Sequence, residues 1–177
     1  LEFETQTLKL AKPVSGSQGV EDAVRLWFDS NGDQCFYVEN GLIPSLFGLC
    51  FWDIIFRPVQ GVFVNPFQRG PLDLFSSSFR LSRDQSIKER LRELESPGEI
   101  ERRVYSVFAD KKEIANYFVR WDILTPDLLE LALTRIPDKD LLSMFSRMLF
   151  DLRSNCSGFP DLINFPNERG RGSPGYR

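Results

Sequence analysis

The chain has 177 residues, 42% apolar and 27% charged, with a net charge of −3: one globular domain of ordinary size, too short for two comfortable ones. With 22 Lys and Arg against 25 Asp and Glu, the overall field does not favour nucleic acid, so any basic surface must be local. Histidine is absent, which excludes Ser-His-Asp and Cys-His nucleophiles and every zinc site that needs an imidazole; Cys35, Cys50 and Cys156 form no C-x-x-C and suit a reducing compartment.

Residues 1–18 read as an extended stretch and then a linker, Ser15 to Gln18 being small and polar. Gly19 to Phe28 suits a short helix with Val20, Ala23, Val24 and Trp27 on one face, followed by an Asn31-Gly32 turn and a strand over Gln34 to Val38. Leu42 to Phe56 reads as one buried helix. As a helix it would be about 22 Å long, short of the ~30 Å hydrocarbon core of a bilayer, and it contains Asp53. Residues 59–79 are irregular. Ser82 and Gln85 resemble a capping box ahead of an Ile87, Leu91, Leu94 stripe. Further helices are expected over Glu99 to Phe108 and Lys111 to Val119. Another starts at Thr125 as N-cap with Pro126 in the first helical position, and the last is capped by Asp138. In that last helix Leu141, Phe145, Met148, Leu149 and Leu152 make the core face. Gly158 to Phe165 is a turn into a strand. Leu1 at the start and the Gly/Pro/Arg-rich stretch over 167–175 point to a chain cut at both ends.

With histidine excluded, carboxylates and hard cations are the chemistry left to examine. Asp161, after Pro160 at the start of the late strand, would carry its carboxylate at a sheet end. On its own it also reads as an ordinary turn Asp. Glu39, between the early strand and the buried helix, is equally readable as a surface Glu beside a helix N-terminus. Asp53 lies in an apolar helix and needs a partner, expected to be an Arg. Asp73 is expected to cap the chain. Arg83 and Arg90 are expected on a solvated face opposite the apolar stripe. Arg153 precedes the late strand and could orient a phosphate or a carboxylate, while Arg169 and Arg171 sit in a Gly-rich loop able to follow a nucleic-acid backbone.

Three motifs in order then resemble the Fanconi-associated nuclease family. They are Glu39 to Phe56 (ENGLIPSLFGLCFWDIIF), Asn65 to Leu74 (NPFQRGPLDL), and Asp151 to Arg153 leading into Ser157 to Leu162 (SGFPDL). Val20-Glu21 fits as well. The resemblance runs from about residue 19 to 165 and implies a VRR-NUC domain within the PD-(D/E)xK nucleases. The expected class is then α+β: mostly helical, with the start of a small restriction-endonuclease-like sheet, truncated before its second core strand. Residues 1–18 would be an extended or linker segment and 19–177 a partial nuclease domain.

The resemblance implies a Mg²⁺- or Mn²⁺-dependent DNA phosphodiesterase that acts on branched or 5′-flap DNA and as a 5′-to-3′ exonuclease. It also implies a role in interstrand-crosslink repair, a place inside the cell with DNA, no membrane, and a repair-protein partner. Glu39 matches the family's helical acidic metal ligand, and Asp161 matches the Asp of Pro-Asp. The family's Glu-x-Lys is not in this sequence, so this chain alone is expected to bind metal weakly and not to cut DNA. The alternative is a non-catalytic helical module that binds DNA or protein on the same scaffold.

Overall fold

The computed structural model of the chain describes residues 19–167, which divide into two compact units: residues 19–37 with 161–167, and Val38–Pro160. The N-terminal stretch 1–18 and the Gly-rich segment with Arg169 and Arg171 lie outside the described residues.

In the smaller unit, α1 (Val20–Ser30) packs against β1 (Gln34–Tyr37). The Asn31-Gly32 turn between them has Gly32 at φ 85°, a value that glycine adopts without steric cost. Strand β1 pairs antiparallel with β2 (Leu162–Phe165), Gln34 opposite Phe165 and Tyr37 opposite Leu162. The Phe36 and Phe165 rings meet edge to face at 6.1 Å. Asp33 fastens the far strand by accepting from Asn164 Nδ2 and from the Asn167 backbone N–H, both at 3.0 Å. The class is therefore α+β with a small sheet, as the sequence implied.

The larger unit is helical. Every residue of α2 (Leu42–Cys50) is buried, which explains its unbroken apolar sequence. It packs on α5 (Glu99–Lys111) and α7 (Asp138–Phe150). At its centre the Phe47 ring stacks on Phe51 at 4.7 Å and meets Phe118 and Phe145 edge to face. Gly48 permits the close approach of the chain at Phe118 and Val119: a Cβ there would lie 2.7 Å from Val119 Cγ2. The single helix expected over Leu42 to Phe56 breaks at Phe51, and α3 (Trp52–Ile55) continues after it. Helix α6 (Pro126–Arg135) starts as expected, Thr125 Oγ1 accepting from Leu128 N–H at 3.2 Å. The N-cap of α7 is Pro137, so Asp138 is its first residue and acts through the helix dipole instead.

Two expectations fail at the next helix. Helix α4 (Ser77–Leu94) begins five residues before the supposed capping box. Ser82 Oγ donates back to the Phe79 carbonyl, and Gln85 donates to Glu89. Its buried face is Phe79, Arg83, Ile87, Arg90 and Leu94, so both arginines lie under the apolar side. Arg83, 0% exposed, donates to the Ile54 carbonyl (3.0 Å) and Asp73 (2.9 Å). Asp73 is thus the partner of a buried cation and ties the irregular stretch to α4. Arg90 makes a bidentate pair with Asp53 at 2.9 and 2.8 Å, and Arg103 of α5 joins it. That confirms the arginine partner which Asp53 required.

The helix expected over Lys111 to Val119 is also not formed beyond Lys111. Glu113 sits at φ 67°, and Asn116 Oδ1 accepts from Phe118 N–H at 2.9 Å. A side chain that offers the backbone a local partner of this kind competes with helix formation.

Candidate functional site

Between the end of β1 and the start of α2 the chain makes a tight turn, closed by Gly41 N–H on the Val38 carbonyl at 2.6 Å. Glu39 and Asn40 occupy it at φ 40° and 57°. Left-handed backbone costs an L-residue about 1–2 kcal/mol, and Asn tolerates it better than Glu. Asn40 holds the turn in place: its Oδ1 accepts from Phe159 N–H at 2.6 Å, and its Nδ2 donates to the Cys156 carbonyl at 3.5 Å. Glu39 therefore does not sit on a helix, as the family match had implied. It stands in a strained turn just before one, with its side chain 54% exposed.

Glu39 lines a cavity of about 320 Å³ in the larger unit, together with Asn40, Arg69, Tyr117, Arg120 and Ser157. Arg120 is placed there by buried Ser45 of α2, whose Oγ accepts from Arg120 N–H at 3.0 Å and donates to the Phe118 carbonyl at 3.3 Å. The guanidinium grips Asp122 through two nitrogens (2.9 and 2.7 Å) and reaches Glu39 Oε2 at 3.2 Å. Hydrogen bonding to Asp122, and then to Glu39, raises the Arg120 pKa against the effect of burial. The same bond from Arg120 lowers that of Asp122. Arg69 lies over the Tyr117 ring at 5.8 Å, and its carbonyl accepts from Tyr117 N–H at 2.7 Å. Two cations and a carboxylate therefore line the same cavity.

Asp161 is exposed at the entrance to β2 and belongs to the smaller unit. Arg153 is exposed on the short α8 (Leu152–Asn155). That helix is capped by Asp151, whose carboxylate accepts from Arg153 N–H and Ser154 N–H at 3.0 and 3.1 Å. Glu39 and Asp161 offer only oxygen donors, the set that suits Mg²⁺ or Mn²⁺. Half exposed on a cavity wall, Glu39 is accessible to a hard cation once Arg120 yields. Among the described residues, no three of His, Cys, Asp and Glu gather as a ready cage.

The VRR-NUC domain model matches residues 95–174. The Fanconi-associated nuclease 1 homolog of Pseudomonas aeruginosa is 40% identical over 164 residues, covering 93% of this chain and 29% of that protein. The homolog of Schizosaccharomyces pombe is 33% identical over 145 residues, covering 81% of this chain and 20% of that one. A crystal structure of paFAN1 bound to 2nt 5′ flap DNA with gap is similar at TM-score 0.83 and 41% identity, over 89% of this chain and 29% of that chain. The chain belongs to the Fanconi-associated nuclease family. It spans less than a third of the length of the curated relatives it matches.

Within this member of the family, sequence reasoning missed Asn40, Arg69 and Arg120. Arg69 stood inside the second family motif, and Asn40 inside the first. Arg120 had no signal, because the helix expected just before it gave no reason for the chain to return to Glu39.

Proposed function

We propose that this chain belongs to the catalytic part of a structure-specific DNA nuclease. The reaction is Mg²⁺- or Mn²⁺-dependent hydrolysis of a backbone phosphodiester in branched or 5′-flap DNA, with 5′-to-3′ exonuclease action, in interstrand-crosslink repair. One observation carries this reading: the 41% identity and TM-score of 0.83 to a chain crystallised on 5′-flap DNA. Such a protein works inside the cell with DNA, alongside a repair-protein partner.

Glu39 and Asp161 would hold the cation, which when bound neutralises phosphate charge and lowers the pKa of water. Arg120 and Arg69 present positive charge beside Glu39 to the phosphates on either side of the scissile one. Arg153 orients a phosphate, and Arg169 and Arg171 follow the backbone. None of these contacts needs a base edge, so substrate choice is by shape and backbone.

The test pairs Mn²⁺ titration, followed by electron paramagnetic resonance, with binding and cleavage of a labelled 5′ flap. Glu39→Gln and Asp161→Asn should each weaken Mn²⁺ binding by at least about 10-fold, the scale at which even a residue behind the ligands matters. Each should also remove the Mn²⁺-dependent part of flap binding and any cleavage. Unchanged Mn²⁺ affinity in both variants would overturn the ligand assignment.

A further inference from the structure

The irregular stretch between α3 and α4 is held more tightly than its lack of secondary structure suggests. Gln68 uses its whole amide. Its Oε1 accepts from Val64 N–H and from Asn65 N–H (3.0 Å), and its Nε2 donates to the carbonyls of Val62 and Gly70, each at 3.3 Å. Asn65 Oδ1 accepts from Phe67 N–H at 2.9 Å, a side-chain turn that fixes the backbone on the other side. Leu72 N–H closes the loop on the Val62 carbonyl at 2.9 Å.

This scaffold holds Phe67 out in solvent, 88% exposed. Burying a phenylalanine is worth about 1.5–3 kcal/mol, and here a set of five side-chain hydrogen bonds keeps that gain from being realised within the loop. The Phe67 ring borders a cleft of about 370 Å³ whose other walls include Trp52, Phe56 and Ile114. Lys111, paired with Asp110 at 2.8 Å, stands at the same cleft. Two residues beyond Phe67, and so at most about 7 Å along the chain, Arg69 lines the cavity that holds Glu39. The loop thus presents an aromatic face and a cation in tandem, leading toward the candidate site.

We propose that the Phe67 cleft receives one unpaired nucleobase of the DNA strand whose phosphates lie on Arg69 and Arg120. The inference rests on the nuclease reading above and adds to it a stacking position for single-stranded DNA next to the metal-binding carboxylate. An aromatic face stacks on any base, so the position selects unpaired over paired DNA without selecting sequence. The cleft lies at the small end of ligand-sized pockets, which suits one base and not a run of them. Lys111, Arg69 and Arg120 complement the phosphates that such a base brings with it.

Equilibrium binding of a 5′ flap with several unpaired nucleotides, and of blunt duplex of equal length, tests this in wild type, Phe67→Ala and Phe67→Trp. The flap carries 2-aminopurine at successive positions to report stacking. Phe67→Ala should weaken flap binding by about 5- to 150-fold, the range measured for a lost base–aromatic stack, and leave duplex binding unchanged. The 2-aminopurine quenching at one flap position should vanish in Phe67→Ala and survive in Phe67→Trp. Because the side chain is exposed, neither variant threatens folding. Wild type that binds neither DNA would overturn the nuclease reading itself. Wild-type flap affinity and quenching retained in Phe67→Ala would overturn the stacking position alone, and leave the exposed ring to a protein partner.

Discussion

Helix α4 and the Glu39 cavity both rest on arginine–carboxylate pairs, yet the two sets are built for opposite ends. On α4, Arg83 is fully buried and its Asp73 partner is 11% exposed; Arg90 is 7% exposed and bidentate on Asp53. Around the cavity, Arg120 is 38% exposed and divides its donors between Asp122 and Glu39. A pair that has been dried out cannot be exchanged without leaving a bare charge in the core, so it fixes architecture. A wet pair is worth little and can give its cation to a phosphate and its carboxylate to a metal at small cost. The difference marks which charges hold the fold and which are free to take a ligand.

The largest effect expected from breaking this distinction is at Asp73→Ala. It strands the Arg83 guanidinium in the core and should cost about 3–5 kcal/mol of unfolding free energy, read from denaturant midpoints. A loss below about 1 kcal/mol would place Asp73–Arg83 with the surface pairs.

Asp53→Asn is the next in size. Asp53 is itself half exposed, so its loss should cost about 1–2 kcal/mol at neutral pH, less than a wholly buried pair. Burial alone pushes this carboxyl up, but the hydrogen bonds and charges of Arg90 and Arg103 outweigh it and hold it below the ordinary carboxylate range. A depressed carboxyl contributes in full above its unfolded pKa and loses that contribution as pH falls through the folded value. The stability gap between wild type and Asp53→Asn should therefore be level from pH 5 to 8 and close below about pH 4. A gap that widened in acid would contradict the arginine clamp.

The sequence made these pairs of α4 only half legible. Asp53 announced itself, because a carboxylate among Leu, Phe and Ile must find a cation. Arg83 and Arg90 did not. An arginine amid Glu89 and Glu93 looks solvated until the tertiary fold shows which face is covered. Strong periodicity and end signals placed α1, α6 and α7 within a few residues, as Thr125-Pro126 shows most directly. The Lys111–Val119 helix failed for a local reason, the Asn116 side chain taking Phe118 N–H. At the candidate site, Asp161 at a strand end and Glu39 before the buried helix were candidates by position, and motif context raised them above an ordinary turn Asp and a surface Glu. Arg120 was invisible because long-range contacts bring it to Glu39: the Ser45 hydroxyl and the turn held by Asn40.

The smallest structural effect should come with an informative functional one, at Arg120→Gln. Both of its partners are exposed, so the stability change should stay within about 0.5 kcal/mol. Removing the guanidinium releases Glu39 from its only ion pair among the described residues, so on the proposed ligand assignment Mn²⁺ should bind more tightly. Flap DNA should bind more weakly, and the slope of log affinity against log salt should fall by about one, the signature of one lost phosphate contact. The opposite signs separate the possible roles of this residue. An arginine that merely stabilises the turn would, when lost, weaken metal and DNA binding together through a disordered Glu39. One that only screens the carboxylate would strengthen metal binding and leave the salt slope untouched. Tighter metal with a shallower slope is what a cation shared between Glu39 and a phosphate requires, and it would set Arg120 apart from the arginines of α4 by function as well as by exposure.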